Sequence, residues 1–235
     1  MSTLEQIKAL LGRCSLDEKK QVFDLLRSEL MIHPIERTLN VSAERILEAL
    51  SRSSDLTRRG IRGIIAEATF VLDIVPTLYN WSEIPLADGL PYDCLLKDGL
   101  GEVRVQIKMQ RLERHLPKMA NRMKRFSSLP GHLFVVETQR TRGGTKNGEK
   151  TRPYRFGEFD ILGVCLHPST NSWSDVVYTV ANWLIPSVDD HACIATYQPV
   201  SPVADQYWTN DFSDCVSRLR SGVEQRLFER EHARR

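Results

Sequence analysis

The chain has 235 residues, 41% hydrophobic and 26% charged, with 13 glycines and 11 prolines. This is the usage of a folded globular protein, long enough to bury a core without metal or disulfide staples. No apolar run approaches the ~18 residues of a membrane span, and the polar start Met1-Ser2-Thr3-Leu4-Glu5 has no apolar targeting core, so neither a membrane segment nor a secretory leader is expected. The five cysteines (Cys14, Cys94, Cys165, Cys193, Cys215) are scattered and form no C-x-x-C pair. They point to reduced thiols in a cytoplasm, and away from a disulfide framework or a structural zinc site.

The N-terminal residues 1–56 read as helical. Ser15-Leu16-Asp17-Glu18 is a capping box, followed at helical spacing by Val22, Phe23, Leu25, Leu26 and Leu30, and Pro34 ends the segment. A second helix is expected from Ser42 to Leu50. Asp55 reads as the N-cap of a longer helix from about Leu56 to Val75, closed by Pro76.

From Pro85 the pattern turns to strands. Tyr92 to Leu96 is a short apolar run, Lys97-Asp98-Gly99-Leu100-Gly101 a turn, and Glu102 to Met109 alternates strictly. A basic stretch from about Leu112 to Phe126 reads as helical, kinked or started by Pro117. His132 to Glu137 and Phe159 to Leu166 read as buried strands, separated by a long polar segment, Thr138 to Glu158, with Gly143-Gly144 inside it. Residues 174–185 fit strand or helix equally. Asp211 to Arg230 has the period of an amphipathic helix, and this helix or the N-terminal ones offer dimer surfaces. The order implies an α/β fold with a mixed sheet. The expected division is a helical region 1–56 within the same compact unit, a core 57–170, and a C-terminal region 171–235 ending in that helix.

The formal net charge of +2 hides an asymmetry. Between Glu102 and Arg155 there are fourteen basic residues against four acidic ones, a local excess of +10 that leaves −8 for the remainder. Such a field suits a polyphosphate partner, although a charge run by itself also describes a solvated face. The residues inside it decide the matter. On the alternating strand, Val103, Val105 and Ile107 share the core face, while Glu102, Arg104, Gln106 and Lys108 share the other. If the two strands pair as a hairpin, Asp93 comes near Gln106 and Lys108, and a carboxylate, an amide oxygen and an ammonium surround one point. That grouping suits a hard divalent cation and a phosphate. Glu67 lies in an apolar helical run with Gly63, Ile64, Phe70 and Val71 one turn away, so any partner must come from elsewhere, as a tertiary cation or a metal with its waters. The six histidines show no metal-ligand spacing, and the four tryptophans read as packing residues.

A helix glutamate (Glu67), Pro91-Tyr92-Asp93, twelve intervening residues and Gln106-Ile107-Lys108 in an alternating strand resemble the PD-(D/E)xK nuclease superfamily, in particular its type II restriction endonucleases. The resemblance covers roughly residues 60–166, and Gln139 to Val164 is similar in kind to restriction-enzyme sequences. Two departures stand out: Tyr92 separates the proline from the aspartate, and Gln106 occupies the position of an acid. The resemblance implies a restriction-endonuclease-like mixed sheet flanked by helices and Mg2+-dependent cleavage of double-stranded DNA. It also implies a homodimer acting on a palindromic site, a bacterial or archaeal cytoplasm, and a cognate DNA methyltransferase modifying that site. By the same resemblance Asp93 is the main metal ligand, Gln106 a weaker one, Glu67 a ligand directly or through water, and Lys108 acts on the attacking water. Arg111, Arg114, Lys118 and Arg122, with Arg140, Arg142, Lys146, Lys150, Arg152 and Arg155 in the long segment, are then the expected DNA contacts. Two other readings remain open: a modification-dependent or repair nuclease of the same fold, and a DNA-binding protein without catalysis.

Overall fold

Strand pairing in this protein is set by one hairpin. β1 (Ser82–Ile84) and β2 (Cys94–Asp98) pair antiparallel, as do β2 and β3 (Gly101–Met109), with Cys94 opposite Val105 and Asp98 opposite Gly101. The expected turn forms: Asp98 Oδ1 accepts from the amides of Leu100 at 2.9 Å and Gly101 at 3.0 Å, and Gly101 takes φ +143°, a value that suits glycine. The structure, a computed structural model, describes residues 2–30, 33–87, 89–140, 145–146, 149–150 and 152–228.

After β3 the chain makes a long excursion through β4 (Phe134–Glu137) and returns as β5 (Ile161–Cys165), parallel to β3 with Gln106 opposite Leu162. Next, β6 (Val176–Val180) lies antiparallel to β5, which settles the ambiguous 174–185 segment as a strand followed by a 3₁₀ turn, Ala181–Trp183. The main sheet therefore runs β1-β2-β3-β5-β6 and is mixed. β4 pairs outside it, antiparallel to β7 (Tyr197–Val200).

Both faces of the main sheet are covered, so β5 is buried at every position. On one face Val103, Val105, Ile107, Ile161 and Cys165 pack against Ala66 of helix α5 (Asp55–Thr69), against Phe70 just after it, and against Phe212, Cys215 and Val216 of the C-terminal helix (Phe212–Arg220). On the other, Leu162, Val164 and Val177 join Val135 and Val136 of β4, Tyr154, Phe159 and Trp208. The result is a mixed α/β protein whose central sheet carries helices on one side.

The chain divides into two compact units, Met1–Arg58 and Arg59–Arg235, whereas the sequence reading grouped residues 1–56 with the rest. In the first unit α1 (Thr3–Arg13) and α2 (Leu16–Glu29) each start with a full capping box, Ser2 with Glu5 and Ser15 with Glu18. After these come α3 (Ile35–Leu39) and α4 (Ala43–Ser51), the latter within a residue of expectation. Arg27 binds both Glu36 and, at 2.7 Å, Glu44, tying α2 to the two shorter helices. The five cysteines are free thiols, and no helix among the described residues is long and apolar enough to cross a membrane.

Several expectations are corrected. Asp55 is the first helical residue of α5 rather than its cap, since the Ser54 hydroxyl accepts from the Thr57 amide at 3.2 Å. The helix loosens into a π turn, Phe70–Ile74, and a 3₁₀ turn, Val75–Thr77, that contains Pro76. Residues 112–126 are not helical: Leu112–Glu113 and Leu116–Pro117 form a small hairpin, and Ala120–Arg122 and Lys124–Phe126 are 3₁₀ turns. That stretch lacks a continuous apolar stripe, and Pro117 removes a helical donor. The final helix stops at Arg220, with Gly222 at φ +67°, and α6 (His167–Thr170) precedes it as a single turn, leaving that final helix as α7. α7 buries Phe212, Cys215 and Val216 in the core, so its apolar face packs on the sheet.

Candidate active site

β2 stops pairing at Cys94, while β3 continues to Met109. Past that point the β3 amide of Ile107 has no strand on the β2 side, and the side chain of Asp93 fills the place: its Oδ2 accepts from Ile107 N at 2.8 Å, while Asp93 N donates to Val105 O at 3.0 Å. The same Oδ2 accepts from Gln106 Nε2 and stands 4.0 Å from Lys108 Nζ. The hairpin thus brings Asp93, Gln106 and Lys108 together, and the alternation of β3 places them as the sequence implied, with Val103, Val105 and Ile107 on the core face. Arg104, on the same face, is held away by Asp160, which it grips at 2.7 and 2.9 Å.

Glu67 joins this group from α5. Burial pushes its carboxyl up to about 7, Asp93's negative charge adds to the rise, and Lys108 partly offsets it. Burial by itself draws Lys108 down, but Asp93, Tyr154 and Glu67 outweigh it and the net direction is upward. Lys108 is consequently a resident ammonium rather than a base.

Gln106 is 1% exposed, and its Nε2 donates to Asp93 and to Ile107 O at 3.3 Å, yet its buried Oε1 has no hydrogen-bond partner among the described residues. A buried acceptor left unpaired is costly. Two repelling carboxyls and an orphaned amide oxygen form an all-oxygen donor set of the kind a hard divalent cation relieves. Turning the Gln106 amide over about its Cγ–Cδ bond exchanges Nε2 for Oε1 beside Asp93. Only two acids take part, and among the described residues no group of three or more His, Cys, Asp or Glu side chains gathers to hold a metal. Magnesium, which keeps most of its waters and takes one or two carboxylates, fits that set.

Tyr154 was not singled out from the sequence. It lies 4% exposed, edge-on to Phe159, with Lys108 Nζ 5.5 Å above its ring and the Arg140 guanidinium 4.8 Å from it. Its oxygen favours the charged form of the Lys108 ammonium nearby. The signal that reveals it is tertiary: an aromatic ring between two cations, from a segment whose composition reads only as a basic loop.

The expected DNA contacts divide. Arg111 pairs with Glu137 at 2.9 Å, Lys118 with Glu113 at 2.9 Å, Arg140 with Glu158 at 2.8 Å, Arg155 with Asp190 at 3.7 Å and Arg152 with Glu137 at 4.0 Å. Much of the local positive charge is therefore met by nearby carboxylates. Arg114 and Arg122 have no ion pair among the described residues. The backbone at Lys146 and Lys150 lies on a two-stranded ribbon, with Lys146 opposite Glu149 and Lys150 opposite Thr145 in register. Arg142 lies outside the described residues.

No family model matches the sequence, and no curated relative matches it. Among solved structures the chain is similar to the bacterial homing endonuclease I-Ssp6803I, at 19% identity over 69% of this chain and 94% of that one, with a TM-score of 0.38. The functional reading accordingly rests on the arrangement of Asp93, Gln106, Lys108 and Glu67 rather than on kinship.

Proposed function

We propose that the protein is a divalent-cation-dependent DNA endonuclease with a restriction-endonuclease-like core, acting as a type II restriction enzyme on double-stranded DNA. The observation that carries this is the convergence of Asp93, Gln106, Lys108 and Glu67 where β2 stops pairing with β3. Asp93 and the Gln106 amide oxygen are the groups that would hold Mg2+, with Glu67 directly or through water. When bound, the cation supplies Lewis-acid stabilisation of the phosphoryl oxygens and of the leaving oxygen. Lys108, kept protonated by Asp93 and Tyr154, donates from Nζ to the attacking water and to a non-bridging phosphate oxygen, orienting one and countering the charge that builds on the other. A homodimer on a palindromic site and a cognate methyltransferase belong to the same reading.

Gln106 favours one second reading, a nuclease directed at modified DNA, because its neutral amide departs from the acid of the resembled motif. Incubation with unmodified and methylated plasmid, with Mg2+ or with EDTA, separates them. Discrete fragments from unmodified DNA support the restriction reading, cleavage confined to methylated DNA supports the second, and retarded but uncut DNA throughout leaves a binding protein without catalysis.

A further inference from the structure

The parallel strands β3 and β5 end level, with Met109 opposite Cys165 and the amide of Gln110 donating to Cys165 O at 3.0 Å. In open α/β sheets such carboxyl ends are where ligands bind. Beyond them lies a cavity of about 340 Å³ lined by Leu112 and His115 from the turn after β3, His167, Ser169 and Asn171 from the turn after β5, and Arg62 from α5. Its size is at the small end of ligand cavities, ~300–1,000 Å³.

Three observations give this cavity a charge preference. Its lining holds Arg62, His115 and His167 and no carboxylate among the described residues. Arg62 has no ion pair there, while Arg104, Arg111, Arg140, Arg218 and Arg220 in the same unit each have a carboxylate within 2.9 Å. His167 is fixed by stacking on Trp173, with ring centroids 3.9 Å apart and planes at 21°. The imidazoles offer N–H donors and Asn171 an amide donor, so the lining suits an anion with several acceptor oxygens.

The cavity also shares two elements with the candidate active site, α5 and the chain that follows β3. Arg62 precedes Glu67 by five residues on α5, roughly 7.5 Å along the axis, and Leu112 follows Lys108 by four residues, roughly 13 Å of extended chain. We propose that the cavity formed by Arg62, His115 and His167 is a second phosphate site, holding another backbone phosphate of the DNA whose scissile phosphate lies at Lys108. The proposal rests on the nuclease reading for the identity of the strand. It makes Arg62 and His115 binding residues that position DNA without touching the scissile bond.

The test is duplex binding by fluorescence anisotropy across a salt series in EDTA, for wild type, Arg62→Lys, Arg62→Ala and Arg62→Ala with His115→Ala. Thermal melts matching the wild type certify the fold. The expected result is a several-fold weaker Kd for the alanine variants, equal for unrelated sequences, with a log Kd against log salt slope about one unit shallower. Arg62→Lys keeps the wild-type slope. Alanine variants that keep both the wild-type Kd and the wild-type slope overturn the site. A second arm melts wild type and Arg62→Ala in inorganic phosphate against chloride at equal ionic strength. Stabilisation by phosphate that Arg62→Ala lacks, with duplex binding unchanged, assigns the cavity to a free anion and also overturns the strand site. Because the titration contains no divalent cation, a wild type that binds DNA but never cuts it defeats the nuclease reading and leaves this result standing.

Discussion

Asp93 Oδ2 accepts the backbone amide of Ile107 at 2.8 Å, at the point where β3 has lost its antiparallel neighbour. One carboxylate oxygen therefore serves the fold and the candidate metal site together. The two roles separate by substitution. Asp93→Asn keeps an acceptor oxygen for Ile107 and is expected to hold stability near wild type while abolishing cleavage. Asp93→Ala leaves the Ile107 amide unmet, removes one of the two acceptors of Gln106 Nε2, and is expected to cost about 1–3 kcal/mol in a denaturant melt as well. Equal stability of the two variants contradicts the shared role.

Glu67 gives a pH dependence with a definite sign. Its folded carboxyl is raised from 4.5 to about 7, so between those values the native state binds more protons than the unfolded one. The Glu67 contribution to stability is then fully present below pH 4.5 and is lost as pH rises through about 7, by at most about 3 kcal/mol once solvent screening of this partly exposed group is discounted. Glu67→Gln is expected to flatten this profile and to raise Tm at pH 8 without divalent cations. Added Mg2+ should stabilise the wild type more than the variant. A wild-type profile that is flat across this window, or an equal response to Mg2+, contradicts the assignment.

Gln106→Glu places an acid in the motif position and a third carboxyl beside Asp93 and Glu67. At a site 1% exposed, the added charge meets only the Lys108 ammonium, already shared with Asp93 and Glu67, until a cation arrives. The expected outcome is a lower Tm in EDTA at pH 8, recovered by Mg2+, together with cleavage that saturates at lower Mg2+ than in the wild type. An unchanged Mg2+ requirement means that residue 106 does not reach the cation.

Tyr154 positions Lys108. Tyr154→Phe keeps the ring between Lys108 and Arg140 and loses the hydroxyl, so the cleavage rate at saturating DNA is expected to fall about tenfold, equivalent to ~1.4 kcal/mol, with duplex Kd unchanged. Tyr154→Leu also removes the ring contacts at 5.5 and 4.8 Å. It should lower stability in a denaturant melt beyond the loss in Tyr154→Phe, by ~0.5–2 kcal/mol per cation contact. A Phe variant with wild-type turnover assigns Tyr154 to packing alone.

What was legible in the sequence was local and periodic. The strict alternation of Glu102 to Met109 gave β3 and both its faces, and the Lys97 to Gly101 turn supplied the hairpin that carries Asp93 to Gln106 and Lys108. Elements decided by tertiary packing were not legible. Phe134–Glu137 has the apolar composition of a central strand but pairs with Tyr197–Val200 instead. Residues 112–126 followed their turn geometry, with Arg114 at φ +50° and His115 at φ +67° closing a hairpin that no glycine announces. The apolar spacing of residues 211–230 ran past the end of α7, because Leu227 and Phe228 enter the core from irregular chain. The charge run was visible as +10, but the carboxylates that meet it at Glu137, Glu158 and Asp190 were found only in three dimensions.

The central claim is that Lys108, Asp93, Gln106 and Glu67 form a centre that hydrolyses DNA phosphodiesters with a divalent cation. It is tested most directly by the initial rate of plasmid cleavage for wild type and Lys108→Ala, purified in parallel, in Mg2+ and in EDTA. The account predicts cleavage by the wild type in Mg2+ alone and a loss of about 10²-fold or more in Lys108→Ala, with duplex affinity in EDTA retained. Equal cleavage by the two proteins, or no cleavage by a wild type that binds the DNA, contradicts it.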